Sequence, residues 1–389
     1  MSPTTEPRPA GAPRPPPLLV PLAVAGLVLL ALGLFLDVAR GMSALLAAGF
    51  LAVTAALGAL ALLSLFLVSN AGFHVAFKRV LEALSVNPVG VVALLAVLPG
   101  ARWIYPWARP GATSDPLIAA KAAYLNLPAF GIRMLLFLGI WGAFALMLRR
   151  QSLAQDADGR LEHTRRSVAV AAVFLLLGGY TLSLASVDWL MSAQPHWAST
   201  IFGFYTIGST LLTGTAVAIL GVFWLRREGR LPEVNESHLH DLGKLLFGFS
   251  TFWAYLWFSQ YLLIWYANLP EETAYILART RNGWGPLFWG NLVVGWVLPF
   301  LLLLPRAAKR TPARLVPVAV LVLLGRFLDV WLQVAPATLP GGPPLPWVEL
   351  GALVGVGAAF AAVFFRVLAT APLEPVHDPY LVESLHHHT

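Results

Sequence analysis

The sequence predicts an all-α polytopic membrane protein with about ten transmembrane helices. Two observations carry this. Hydrophobic residues make up 58% of the 389-residue chain and charged residues only 12%, far from the balance of a soluble domain. Apolar stretches long enough to cross about 30 Å of hydrocarbon as helices also recur along the chain, with charges and prolines gathered between them.

Residues 1–17 are rich in proline and predict a disordered cytoplasmic tail. The transmembrane domain is expected over 18–368 and a cytoplasmic C-terminal tail over 369–389. The first span, 18–36, is longer than a secretory signal core and lacks a small-x-small cleavage site. The second is 45–68. Residues 73–84 then carry His74, Lys78, Arg79 and Glu82 among apolar neighbours, which predicts an amphipathic, partly interfacial helix. Asn87-Pro88 reads as a helix start. It opens a third span, 89–105, interrupted by Pro99-Gly100.

Asp115-Pro116 repeats the cap-plus-proline signal and predicts a short helix through Lys121, Tyr124 and Asn126. The fourth and fifth spans, 128–148 and 168–184, flank a charged loop over 149–166. The sixth, 200–225, leads into a charged loop ending at Asp241. The seventh lies in the stretch 241–272. The eighth (286–304) contains Asn291, the ninth (315–332) contains Arg326 and Asp329, and a Pro-Gly turn precedes the tenth, 348–368.

An even number of spans puts both termini on one side of the membrane. Lys78, Arg79, Arg149, Arg150, Arg165, Arg166, Arg226, Arg227, Arg306, Lys309, Arg310 and Arg314 fall on that side, and Arg40, Arg102, Arg109, Lys121, Arg279 and Arg281 on the other. The bias predicts cytoplasmic termini. It also accounts for the net charge of +7 without a nucleic-acid partner; the lipid bilayer is the expected surrounding.

The seventh span is unusual. Eight aromatic residues from Phe252 to Tyr266 share it with Ser259 and Gln260, and polar groups at membrane depth are costly unless they face protein or water. Tyr255, Ser259 and Tyr266 fall on one helical face, which predicts that this face lines something polar. Interhelical hydrogen bonding, with Trp265 and Tyr266 in an interfacial belt, is the alternative.

Four further groups could carry chemistry. Asp188 and His196, at the end of the fifth span, form a titratable pair that could accept protons or start a proton path; a capped loop with a hydrogen-bonded histidine would look the same. Arg326 and Asp329, three residues apart, can meet on one face, as a functional intramembrane pair or as a packing pair. Glu271 and Glu272 point about 100° apart on a helix and suit its N-terminus after Pro270. His238, His240 and Asp241 have metal-ligand composition but are expected in a solvated loop.

The chain has no cysteine, which excludes disulfides, cysteine-ligated clusters and c-type haem attachment. No span core contains a histidine to ligate a b-type haem, and no nucleotide-binding or nucleophile motif is present. No redox cofactor of the chain's own is expected. Pro99, Pro299 and Pro317 interrupt spans but not corresponding ones, which argues against a transporter built from repeats.

At Val187-Asp-Trp-Leu-Met-Ser192, Pro195-His-Trp197 and Ser199-Thr-Ile-Phe-Gly203 the chain resembles a known family. The likeness continues through Asn235-Glu-Ser-His-Leu-His-Asp-Leu-Gly-Lys-Leu-Leu246, Phe252-Trp-Ala-Tyr-Leu-Trp-Phe-Ser-Gln-Tyr261 and Ile264-Trp-Tyr-Ala-Asn-Leu-Pro-Glu-Glu-Thr273. Lys121-Ala-Ala-Tyr-Leu-Asn126 and the closing Glu383-Ser-Leu-His-His-His388 also fit. The family is the ActF-type membrane subunit of alternative complex III, a bacterial quinol:cytochrome c oxidoreductase, related to membrane anchors of the NrfD or polysulfide-reductase type.

The resemblance implies two four-helix bundles, spans two to five and six to nine, with flanking helices in the bacterial inner membrane. It implies as partners a quinol-binding sister membrane subunit and iron–sulfur and haem subunits. Quinone or menaquinone would bind in the complex. ActF-like chains would support assembly and proton translocation. The candidates for a proton path or quinone contact are then Asp188, His196, Tyr255, Ser259, Glu271, Arg326 and Asp329. Arg326 departs from the histidine the resemblance leads one to expect, and arginine does not shuttle protons at physiological pH.

Overall fold

The computed structural model describes Pro13 and residues 15–388, so the N-terminal proline-rich stretch lies almost wholly outside the described residues. Among those described there are helices and turns but no strand. Nine helical segments are long and apolar enough to cross a membrane. The protein is an all-α, multi-pass membrane protein.

Helix α1 (Leu19–Leu36) crosses from the end where the C-terminal tail lies, here the tail end, and α2 (Val38–Val68) returns from the far end. Asp37 separates them and caps α2, accepting from the Arg40 N–H at 3.1 Å. The next crossing is broken into pieces: a 3₁₀ turn at Gly72–Phe77, α3 (Lys78–Ser85), α4 (Val89–Leu95) and α5 (Ala101–Ile104). Asn87 mends the first break. Its Oδ1 accepts from the Val89 N–H at 3.1 Å, and its Nδ2 donates to the Phe360 carbonyl at 2.8 Å. The expected interfacial helix over 73–84 is therefore the first part of this crossing. Its charged residues do not face lipid headgroups: Lys78, Arg79 and Glu82 are all buried.

After α6 (Pro116–Ala120), capped by Asp115 as its sequence predicts, come α7 (Leu127–Asp158) and α8 (Leu161–Trp189). The charged loop expected over 149–166 is mostly helix, because Leu, Arg, Gln and Ala sustain helix beyond the bilayer. The turn narrows to Gly159, whose φ of +68° suits glycine. Helices α9 (Phe202–Arg227) and α10 (Glu236–Ala267) follow.

α10 is not among the nine apolar segments, since its tryptophans, tyrosines and hydroxyls lower its hydropathy, yet it runs the length of the bundle. It meets Lys309 at Gly243, α9 at Gly208, and Phe288 and Trp289 at Tyr261. It corresponds to the expected seventh span, with its first residues, up to Lys244, standing outside the apolar stretch. Then come α11 (Pro270–Thr280), α12 (Gly285–Leu292), a π-helical turn at Val293–Val297, α13 (Leu298–Leu303), α14 (Arg306–Arg310) and α15 (Pro312–Thr338). Pro299 has no N–H to offer the preceding turn, and the wider π turn absorbs that loss. α16 (Trp347–Leu368) and the short α17 (Leu381–Leu385) complete the chain.

α2, α4, α7 and α8 form one group, and α9, α10, α12–α13 and α15 the second; α2 packs on α9 and α15 between them. Burying apolar surface gains little against lipid, so close backbone approach does the work. Gly58 of α2 and Gly214 of α9 meet backbone to backbone. α1 and α16 flank the bundles, with Gly26 set against Gly351 and Gly355.

Candidate functional site

The centre of the second bundle holds a buried polar cluster toward the far end. α15 carries Arg326, Asp329 and Gln333 at i, i+3 and i+7, so all three face inward. Arg326 is 0% exposed and Asp329 3%. Asp329 Oδ2 accepts from Arg326 Nη1 at 3.0 Å and from Gln333 Nε2 at 3.3 Å. Its Oδ1 accepts from Asn291 Nδ2 at 2.9 Å and from the Tyr205 hydroxyl. Four donors from three helices thus converge on one carboxylate. The Arg326 guanidinium lies 3.6 Å over the Trp253 ring. It fits there because residue 295 is glycine: a Cβ would stand 2.5 Å from Arg326 Nη2.

The far-end cap closes over this cluster. Arg279 of α11 donates to Gln194 Oε1 at 3.0 Å and to the Gln333 carbonyl at 2.8 Å, and stacks over Tyr275. Trp197 stacks on the Tyr275 ring at 3.7 Å. Between Tyr205, Gln260, Tyr275, Asn291 and Asp329 is a cavity of about 30 Å³, enough for about one water. The buried Asn291 Oδ1 and Gln333 Oε1 have no hydrogen-bond partner in the protein, so polar acceptors line it.

The structure brings some expected residues here and leaves others out. Arg326 and Asp329 pair as their spacing implies. Tyr255 and Tyr266 are 65% and 84% exposed and Ser259 is half-buried, so that face of α10 points outward. Trp253, Trp257 and Gln260 hold the inner face instead. Aromatic identity did not distinguish the faces, because tryptophan and tyrosine suit both a core and a lipid interface. Glu271 sits exposed in the first turn of α11, as its helix-start reading expected.

Asp188 and His196 do not pair with each other. Asp188 is fully buried in the first bundle, bound by Arg133 through Nε at 2.6 Å and Nη2 at 3.2 Å. His196 is largely exposed at the far surface, with Nε2 2.7 Å from Asp115 Oδ2. Desolvation, the largest single influence, raises the Asp115 carboxyl. The Leu117 and Ile118 N–H groups and the His196 ring outweigh it and hold that carboxyl below its usual value. Both histidine and aspartate are near the end of one span in sequence, but α8 ends between them, so one side chain points into the bundle and the other away. The two far-end loops meet: Lys121 donates to the Pro195 carbonyl at 2.7 Å, and Arg133 of α7 donates to the Tyr124 carbonyl at 3.0 Å.

A second ionic cluster lies at the tail end of the first bundle and was not expected. Arg79 binds Glu82 at 2.5 Å, Ser152 at 3.0 Å and also Asp156, while Lys78 binds Asp378 at 2.7 Å. The available signal was that these charges interrupt an apolar run leading directly into the third span. Nearby, His238, His240 and Asp241 are not in a solvated loop but begin α10. Asn235 caps the helix reciprocally with His238, and Asp241 accepts from His387 at 2.5 Å. The C-terminal tail is strapped down here, with Ser384 buried between the Ala76 N–H and the Phe73 carbonyl. Burial lowers the His238 ring to about 4, with His387 adding to the same direction. Among the described residues no three His, Asp or Glu side chains converge as metal ligands.

No model of a known protein family matches the chain. Comparison with curated proteins gives no match either.

Proposed function

We propose that this chain is a membrane subunit of a quinol-oxidising respiratory complex of the alternative complex III type, and that the Asp329 cluster serves proton movement. The motif resemblance motivates the assignment to the complex. The observation that carries the proton role is a buried carboxylate held by Tyr205, Asn291, Gln333 and Arg326 beside a small cavity with polar acceptors in its wall. Ionisable groups at such depth are expensive and mark ion or proton pathways.

Size favours protons over quinone at this place. A cavity of about 30 Å³ is an order of magnitude below the roughly 300–1,000 Å³ of small-molecule pockets. The motif resemblance assigns quinol to the sister membrane subunit, and at this site the chain contributes polar side chains and room for water. The basic residues gathered at the tail end support a bacterial inner-membrane orientation with cytoplasmic termini. The Asp329 cluster then lies toward the opposite surface. The iron–sulfur and haem cofactors belong to partner subunits.

Purification of the chain from native membranes tests the assignment. Iron–sulfur and haem subunits and quinol oxidation should accompany it; isolation without them would overturn it. A scaffold that only docks partners is the second reading. It is favoured by one observation, that Asp329 is ion-paired to a permanently charged arginine, as a packing pair would be.

A further inference from the structure

At the tail end a concave pocket of about 390 Å³ opens between the last turn of α9, the first turn of α10 and the start of α15. Arg226, Arg227, Arg310, Glu236, Thr311 and Phe223 line it. Three guanidinium groups therefore face one carboxylate. The neighbouring acids are occupied elsewhere: Glu228 accepts from Trp224 Nε1 at 3.1 Å and pairs with Arg230 at 3.2 Å. Asp241 pairs with Lys244 and His387, each at 2.5 Å. The buried His240 ring, four residues after Glu236, feels the same field. Burial first, then Lys244, Arg310 and Arg306, hold its pKa below the usual value.

The depth of the pocket is informative. The apolar run of α9 ends at Leu225, immediately before Arg226, and that of α15 begins at Leu315, immediately after Arg314. The guanidinium groups thus stand where hydrocarbon gives way to headgroups, with Phe223 on the apolar side. Arginine binds phosphate oxygens bidentately, and the positive end of the 27-residue α15 adds to the attraction.

We propose that this pocket binds the headgroup phosphate of an anionic glycerophospholipid, with Arg226 and Arg227 as its principal ligands. The bound lipid would fasten α9 to the α14–α15 corner, the tail-end seam of the second bundle.

The test uses the full-length protein, delipidated in mild detergent and titrated with phosphatidylglycerol or phosphatidylcholine, with bound lipid counted by native mass spectrometry. Wild type should retain one phosphatidylglycerol at concentrations where phosphatidylcholine does not bind. Each basic residue near a membrane surface contributes about fivefold, so Arg226→Gln/Arg227→Gln should weaken retention roughly 30-fold. Arg150→Gln/Arg165→Gln, two exposed arginines at the same end, should leave it unchanged. Inorganic phosphate at equal concentration should not displace the lipid. Equal weakening by both double variants, no discrimination between the lipids by wild type, or displacement by inorganic phosphate would each overturn the proposal.

Discussion

Replacing Asp329 with asparagine should destabilise the protein by about 3–5 kcal/mol, the usual effect of breaking a buried ion pair from one side. The magnitude follows from what remains. Arg326 is 0% exposed, and its Nε and Nη2 have no hydrogen-bond partner. Asp329 is its only ion-pair partner among the described residues. The Trp253 face, worth about 2 kcal/mol when desolvated, offsets only part of the stranded charge. The double variant Arg326→Met/Asp329→Leu removes both charges but leaves the Tyr205, Asn291 and Gln333 donors without their acceptor, so it should cost about 1–3 kcal/mol, less than the single variant. Reversible unfolding in mixed micelles, followed by tryptophan fluorescence, measures both. The reasoning fails if Asp329→Asn costs under about 1 kcal/mol, or if the double variant costs as much as the single one.

Gly295→Ala should disturb the same site from behind, since the new methyl would stand 2.5 Å from Arg326 Nη2. A loss of about 1–3 kcal/mol is expected, while Gly139→Ala, with nothing within 4 Å, should be neutral in the same assay. Acid should loosen the C-terminal strap. His238 falls from 6.5 free to about 4 when buried, so its packing contribution is intact above pH 6.5 and declines as pH falls toward 4, by up to about 3 kcal/mol. Proteolysis of the tail after Thr370 should accelerate over that window, and His238→Gln should flatten the dependence; equal acceleration in the variant would assign the effect to another group.

The fold was largely legible because its strongest signals are local. Apolar runs, the Asp115 cap and Pro270 at a helix start need only nearby residues to act. Failures arose where the third dimension decides. The charges of Lys78, Arg79 and Glu82 resemble an interfacial face until Asp156 and Asp378, distant in sequence, bury and neutralise them. Tyr255 and Ser259 share a face correctly inferred from the helical period, but the period alone cannot say which face points inward. Arg326 and Asp329 were legible as a pair because three-residue spacing sets their contact. Tyr205 and Gln333 were not, since neither is unusual until α9 and α15 pack. Asp188 was singled out, but with the wrong partner: Arg133, which binds it, lies on another helix.

The central claim, that the Asp329 cluster moves protons, is tested most directly in the co-purified complex reconstituted into vesicles. Quinol oxidation and proton release would be compared among wild type, Asp188→Asn and the charge-free Arg326→Met/Asp329→Leu variant, with subunit content verified for each. The account predicts that electron transfer persists in the Arg326/Asp329 variant while proton release falls. If both persist unchanged in a fully assembled complex, the cluster is a packing device and the proton role is wrong.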